Sequence, residues 1–179
     1  MIRTAELLEL LYSARTSFSS VRATVRVEID HSLLERSDWP EDASNPPPPR
    51  AKPQAYVAHL WAEPGGRIRL ERDLNGEHDV EVVINDPEDN DLEERESLAV
   101  GYFDLFDPAP LLGAATFELL DQSTQAGRKS VITLAQPRRQ PIEIANIWGC
   151  DVYELAIDLD RGVLLRVVGR IGGESAGTI

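Results

Sequence analysis

Residues 153–168 read YELAIDLDRGVLLRVV, and this stretch decides the fold class of the chain. Apolar residues alternate with polar or small ones on both sides of a turn. In that turn Gly162 stands where a reversing backbone needs positive φ, and Asp158 stands where a carboxylate can cap it. The pattern predicts a β-hairpin that buries one face, with Leu155 and Leu165 on the same buried side.

Residues 20–30 form the clearest single strand in the sequence. Val, Ala and Ile alternate strictly with Arg, Thr, Glu and Asp over this stretch. Strict alternation indicates that one face of the strand meets solvent, which antiparallel sheets allow and doubly wound parallel sheets do not. The sequence pattern of residues 55–71 predicts a second hairpin, and that of residues 79–84 predicts a further strand.

Helical signals are few and short. Leucines recur at helical spacing near the N-terminus, which predicts one amphipathic helix there. Residues 98–112 are the least polar part of the chain, and the prolines of residues 107–110 predict a helical turn that Gly113 ends. Ile144, Ile147 and Trp148 have helical spacing, so residues 144–148 are also predicted to be helical.

Composition excludes several classes of partner. The 179 residues are 42% hydrophobic, and 31 acidic against 18 basic residues give a formal net charge of −13. One domain, residues 1–179, is expected from this length. Strong negative charge disfavours nucleic acids and anionic membranes. A single cysteine, the absence of a secretory signal pattern and the lack of a long apolar run predict a cytoplasmic protein with no stable membrane anchor.

Three segments are predicted to be irregular. Residues 34–54 contain four consecutive prolines and are interpreted as an exposed loop rather than a docking peptide. Residues 86–97 are strongly acidic and are interpreted as a solvated loop, because the glycine that an EF-hand calcium loop requires is missing. Residues 172–179 are predicted to be a flexible tail.

No catalytic, metal-binding or cofactor-binding pattern can be assembled from the sequence. His31, His59 and His78 lack neighbours at metal-ligand spacing, and Cys150 has no partner in a CxxC motif. No serine stands in a nucleophile elbow, and the late glycines precede no helix. The sequence therefore predicts a non-enzymatic protein without metal or cofactor.

Three blocks of the chain resemble the LolA/LolB-type lipoprotein carriers. They are the N-terminal helix followed by a long alternating strand, the turn of residues 107–112 followed by two strands, and the hairpin of residues 153–167. The closer similarity is to LolA-like actinobacterial proteins and to the N-terminal domain of periplasmic sigma-factor regulators. This resemblance implies an α+β fold, in which a strongly curved antiparallel sheet, an open or half β-barrel, carries the N-terminal helix and short lid-like helices on its concave face.

The resemblance also implies an apolar cavity between the sheet and the lid. The residues that would line it on the sheet are Val25, Val27, Leu60, Ile68, Leu70, Leu155, Ile157, Leu165 and Val167, and those on the lid are Phe103, Phe106, Leu111 and Leu112. The same side chains could instead fill a solid core, since protein interiors are close-packed.

Two functions remain open at this point. The first is a binding module that holds an apolar or lipid-like small molecule between the sheet and residues 103–112. The second is a protein-interaction or regulatory domain with a solid core, in which a loop or an open sheet edge contacts a partner protein. The sequence does not fix the oligomeric state.

Overall fold

Nine strands form one open antiparallel sheet in the computed structural model, which describes residues 2–17, 19–37, 49–63, 67–74, 77–84, 101–139 and 141–179. The strands of the sheet are β1 (Val21–Ile29), β2 (Gln54–Ala62), β3 (Arg67–Leu74), β4 (Glu77–Ile84), β5 (Ala115–Gln125), β6 (Arg128–Pro137), β9 (Val152–Asp158), β10 (Leu164–Ile171) and β11 (Glu174–Thr178). Their order is β4-β3-β2-β1-β11-β10-β9-β6-β5, so β4 and β5 are the edges. The predicted α+β class with a large, open, curved antiparallel sheet is confirmed.

Short helices accompany the sheet. They are α1 (Thr4–Ser13), α2 (His31–Ser37), α3 (Leu111–Ala114) and two 3₁₀ turns (Ala14–Thr16 and Tyr102–Leu105). Helix α1 begins where the Glu6 carboxylate accepts the backbone N–H of Arg3 at 2.8 Å, and it buries Leu7 and Leu11. None of the helices in the described ranges has the length and apolarity needed to cross a bilayer.

Strand β1 has the alternation that its sequence predicts. Val25, Val27 and Ile29 are buried, while the residues between them are exposed. The strand pairs with β2 over its whole length, from Val21 opposite Ala62 to Ile29 opposite Gln54. Continuous pairing with one buried face fixes the register, because a slip of one residue would expose the apolar side.

The turn between β9 and β10 has the predicted chemistry. Gly162 has a φ of +72°, and the Asp158 carboxylate accepts the backbone N–H groups of Asp160 (2.8 Å) and Arg161 (3.2 Å). A Cβ atom at Gly162 would lie 2.2 Å from the carbonyl oxygen of Leu10. Glycine is therefore required both for the turn and for the close approach of helix α1.

A β-bulge changes the register of β10, and the prediction for Leu165 is wrong. The pairing steps from Leu164 opposite Ile157 to Arg166 opposite Ala156, which leaves Leu165 as the extra residue. Leu164 is buried and Leu165 is only half-buried. The bulge therefore places Leu164 on the core face in the position that simple alternation assigns to Leu165.

Residues 144–148 form a two-stranded hairpin rather than the predicted helix. Strands β7 (Glu143–Ile144) and β8 (Ile147–Trp148) are joined by Ala145 and Asn146, which both have positive φ (52° and 66°). Two central residues with positive φ are typical of a type I′ turn. Ile144 of β7 and Ile147 of β8 both face the core, and their separation of three residues happens to match the spacing of a helix.

The flexible tail predicted for residues 172–179 is also wrong. Residues Glu174–Thr178 form strand β11, which lies inside the sheet between β1 and β10. Gly177 pairs with Gly169 of β10, and a Cβ at Gly177 would lie 2.9 Å from the Ile147 side chain. Small residues allow the β7–β8 hairpin to pack closely on the sheet. Because the sequence of β11, ESAGT, contains few apolar residues, it did not predict a strand.

The two predicted loops are only partly within the described residues. Helix α2 extends to Ser37 and β2 begins at Gln54, so both ends of the segment 34–54 belong to regular elements. Residues 38–48, which include most of the proline run, and residues 85–100, which include the acidic segment, lie outside the described residues.

Candidate functional site

The residues predicted to line a cavity lie, with one exception, in or against a single hydrophobic core. Those residues are Val25, Val27, Leu60, Ile68, Leu70, Phe103, Phe106, Leu111, Leu112, Leu155, Ile157 and Val167. The exception is Leu165, which the bulge removes from the core. The structure thus brings the predicted residues together as packed neighbours, and ligand binding among them stays a prediction.

Hydrogen bonds attach the lid segment, defined here as residues 102–114, to the sheet and to the β7–β8 hairpin. The hydroxyl groups of Tyr102 and Tyr56 are 2.5 Å apart, and the Arg72 guanidinium lies 6.0 Å from the centre of the Tyr56 ring. Burial raises the pKa of the Tyr102 phenol. The Asp104 carboxylate accepts the backbone N–H of Ala145 at 3.1 Å. These contacts hold the lid closed over the core.

Cys150 is a structural thiol in this arrangement. Its backbone N–H donates to the Tyr153 hydroxyl at 3.3 Å, and that hydroxyl donates to the Ile142 carbonyl at 2.5 Å. Burial raises the pKa of the Cys150 thiol to about 11, so the thiolate is scarce at neutral pH. A Cβ at Gly169 would lie 2.6 Å from its sulfur, which shows how closely the sheet packs against it.

The three histidines each contact one polar neighbour. The pairs are His31 with Gln54 (3.1 Å), His59 with Thr24 (3.2 Å) and His78 with Asp73 (2.9 Å). Within the ranges that the structure describes, no three His, Cys, Asp or Glu side chains are grouped closely enough to hold a metal ion.

A groove interrupts the sheet between β1 and β10. In the described chain, β11 pairs with β1 only at Glu28 and Ile29. Before these residues, residues 21–26 of β1 face residues 163–166 across a groove of about 690 Å³. The lid segment closes the inner side of the groove with Leu105 and Phe106.

The groove combines an apolar floor with a cationic rim. The apolar residues that line it are Val21, Ala23, Val25, Leu105, Phe106, Ala126, Val163, Leu164, Leu165 and Ile179. The rim contains five arginines, namely Arg22, Arg26, Arg128, Arg161 and Arg166. The concentration of arginine is notable because the whole chain has only 18 basic residues and a net charge of −13. The groove therefore favours a ligand that has apolar groups and negative charges.

The rim arginines differ in their partners. Arg128 and Arg166 are each paired with a carboxylate of β9. The pairs are Arg128 with the buried Asp158, and Arg166 with Glu154 at 3.0 Å. Arg22 and Arg26 are exposed, and no carboxylate of the described residues forms an ion pair with either. These two arginines are available to an anionic ligand.

Three of the residues predicted to line a cavity, Val25, Phe106 and Leu165, line this groove, but sequence reasoning did not predict its position between β1 and β10 or its arginines. The arginines at positions 22 and 26 stand on one face of a predicted strand, and this arginine ladder was a usable signal. The groove lies beside β11, whose composition does not predict a strand, and is lined by the residues of the Leu165 bulge in β10. Neither feature leaves a periodic pattern in the sequence.

No protein-family model matches the chain, and no curated protein matches it. Solved structures do match it. The chain has a LolA-like fold. MucB in complex with MucA(peri) is 18% identical, with a TM-score of 0.53, over 98% of this chain and 53% of that chain. The Pseudomonas aeruginosa MucA/MucB complex is also 18% identical, with a TM-score of 0.53, over 97% of this chain and 53% of that chain.

A third similar structure is an outer membrane lipoprotein-sorting protein domain from Vibrio parahaemolyticus. It is 10% identical, with a TM-score of 0.35, over 94% of this chain and 73% of that chain. The chain spans about half the length of the MucB chains that it matches. At 18% identity the likeness to the MucB structures shows the fold alone, and that fold agrees with the one that the sequence resemblance implies.

Proposed function

We propose that this chain is a non-enzymatic interaction module that binds an acidic, amphipathic segment of a partner protein in the β1–β10 groove. One observation carries the proposal: five arginines surround an apolar floor in a chain whose net charge is −13. Opposite charges at the rim of a binding site speed association and select the partner, while apolar groups that leave water supply much of the affinity.

The described contacts of the lid segment support a groove ligand over one beneath the lid. The Tyr56–Tyr102 and Asp104–Ala145 hydrogen bonds hold the lid closed. A molecule entering between the lid and the sheet would have to separate these partly buried polar pairs, at a cost below the roughly 1 to 3 kcal/mol of a fully buried unpaired polar group. The β1–β10 groove requires no such separation.

The fold neighbours give independent support for a protein partner. Two of the similar structures are complexes of MucB with MucA, so a protein of this fold binds another protein. Non-enzymatic function is supported by Cys150, because its buried thiol with a pKa of about 11 is a poor nucleophile at neutral pH.

Fluorescence anisotropy with a synthetic peptide tests the proposal. The probe is a fluorescein-labelled peptide of about eight residues, alternating glutamate and valine, which matches a typical strand length. We expect saturable binding that Arg22→Glu/Arg26→Glu weakens at least about tenfold, since each cross-strand charge pair contributes about 0.2 to 1 kcal/mol and reversal adds repulsion.

A matched variant distinguishes the effect of charge in the groove from the effect of the net charge of the whole chain. Arg67→Glu/Arg139→Glu changes two exposed arginines outside the groove by the same amount. This variant should bind the peptide within about twofold of the unchanged protein, because it leaves the rim intact. Equal weakening by the two variants, or saturable uptake of a dansyl-labelled fatty acid without any peptide binding, would refute a protein-binding groove.

A further inference from the structure

We infer that the outer face of β1 to β4, the face turned away from the core, carries a second binding site that takes a small aromatic monocarboxylate. The site is centred on Trp61 and is separate from the β1–β10 groove, so it does not depend on the proposed function. It follows from a row of side chains across four strands, from the cavity over that row and from the charges around it.

The row of cross-strand neighbours places an indole ring between two arginines. Arg22 of β1 lies opposite Trp61 of β2, Trp61 lies opposite Arg69 of β3, and Arg69 lies opposite Val82 of β4. Residues directly opposite each other on one face of a sheet have side chains within reach of each other. The Arg69 guanidinium lies 5.6 Å from the centre of the indole ring. An aromatic ring and cations are thus combined on the outer face.

A cavity of about 500 Å³ lies over this row, and its lining adds Glu63, Arg67 and Glu71 to the four residues of the row. Sites for small molecules typically have volumes of about 300 to 1,000 Å³. The half-buried Trp61 and the exposed Val82 supply its apolar surface. The cavity therefore has room for a ligand of one or two aromatic rings.

Positive charge is in slight excess in this cavity. It contains three arginines and two glutamates, although the whole chain has a net charge of −13. Glu71 forms an ion pair with Arg69. Arg22 and Arg67 are exposed, and in the described ranges no carboxylate forms an ion pair with either. A single negative charge suits these two arginines, whereas the two glutamates repel a ligand with more negative charge.

These features define the ligand by its chemistry. An aromatic ring can pack against the indole, because aromatic pairs attract each other in offset-stacked and edge-to-face arrangements. A carboxylate can accept the N–H groups of a guanidinium in charge-assisted hydrogen bonds. A neutral aromatic molecule lacks the second interaction and an aliphatic acid lacks the first. The site therefore selects a molecule that has both groups, such as a benzoate or a naphthoate.

An NMR titration of the full chain with 2-naphthoate tests the site. The sequence has three tryptophans, so an isotope-labelled sample gives three indole N–H signals, and the signal that Trp61→Phe removes belongs to Trp61. We expect a saturable shift of this signal. The signal of Trp148, which lies on the β7–β8 hairpin and outside the cavity, should not shift and serves as the internal control.

Two matched variants locate the carboxylate. Arg67→Glu and Arg139→Glu change the net charge equally, but of these two exposed arginines only Arg67 lines the cavity. Arg67→Glu should weaken 2-naphthoate binding at least about fivefold, because an attraction is replaced by a repulsion, whereas Arg139→Glu should change it less than about twofold. Arg67 does not line the β1–β10 groove, so Arg67→Glu should leave binding of the glutamate–valine peptide unchanged. The two sites can therefore fail independently of each other.

Two variants and two further probes test the aromatic contact and the single charge. Trp61→Leu should weaken 2-naphthoate binding at least about fivefold, whereas Trp61→Phe, which keeps a ring, should weaken it less. The neutral 2-naphthalenemethanol and the doubly charged adenosine monophosphate should each bind at least about fivefold more weakly than 2-naphthoate. Equal or tighter binding of either probe, or a Trp61 signal that does not shift with 2-naphthoate, would overturn the inference.

Discussion

The two halves of the nine-stranded sheet are stabilised in different ways. The alternating half, which we define as β1 to β4, buries aliphatic side chains on one face and exposes charged residues on the other. The anchored half, which we define as β5, β6 and β9 to β11, also buries polar groups. The buried polar side chains of described strand residues, Ser130, Thr133 and Asp158, all belong to β6 and β9. Apolar periodicity is sufficient to define the strands of the alternating half, whereas in the anchored half the polar contacts of Thr133 and Asp158 add to it.

The largest loss of stability among the polar contacts is expected from removing the Asp158 carboxylate. This fully buried group pairs with Arg128 and also accepts two backbone N–H groups of the turn. Asp158→Ala should lower the free energy of unfolding by about 2 to 4 kcal/mol, because two backbone N–H groups of the turn lose their acceptor, whereas the Arg128 side chain, 35% exposed, remains partly solvated. Urea denaturation measures it.

The matched change in the alternating half should be small. Glu71 pairs with Arg69 on the outer face of β3, where the arginine is half exposed. Glu71→Ala should cost less than about 1 kcal/mol. Asp158→Asn should fall between the two, since its amide oxygen still accepts from the turn. Equal losses for Asp158→Ala and Glu71→Ala would show that the two halves do not differ in this way.

Sequence reasoning was most accurate in the alternating half. The two-residue period of residues 20–30 was sufficient to predict β1, because each apolar residue there packs against one core and nothing else modifies the strand. The Gly162 turn was predicted for a similar reason: its backbone requirement is local and only a few residue types meet it.

The errors within the nine-stranded sheet fall in the anchored half, where residues far apart in sequence determine the structure. Gly169 and Gly177 pair with each other beneath Ile147, so β11 needs small residues rather than an apolar period. The bulge at Leu165 follows from how β10 meets β9, and the sequence of one strand does not encode it. The groove between β1 and β10 lies beside β11 and this bulge, so its position was not predicted either.

A pair of leucine substitutions tests the bulge directly. Leu164→Ala should lower the free energy of unfolding by about 2 to 5 kcal/mol, because Leu164 is buried in the core, whereas Leu165→Ala should cost no more than about 1.5 kcal/mol. Thermal melts compare the two adjacent positions in one strand. The reverse order of losses would mean that β10 has no bulge and keeps plain alternation, as in the alternating half.

A smaller change in stability than that of Asp158→Ala is expected at a polar anchor outside the sheet, Asp104 in the lid segment. Burial, together with the charges of Glu143 and Asp107, raises the pKa of the Asp104 carboxyl to about 6, although the Ala145 N–H opposes this shift. In the unfolded chain the pKa of an aspartate is about 3.9. Between about pH 4 and pH 6 the folded state therefore binds more protons than the unfolded state, so Asp104 lowers the free energy of unfolding as the pH rises through this window.

Asp104→Asn should remove this pH dependence. At pH 7 the variant should be more stable by about 1 to 2 kcal/mol, because a neutral amide is buried in place of a charge while its oxygen still accepts the Ala145 N–H. At pH 4 the native carboxyl is protonated, so the two proteins should have nearly equal stability, which makes this pH the internal control. Urea denaturation at both values measures the difference. The opposite result would be a variant that is less stable than the unchanged protein at pH 7 and equally stable at pH 4. It would show that the Asp104 charge stabilises the closed lid. The anchor would then act by ionic attraction rather than by a hydrogen bond that tolerates a neutral acceptor.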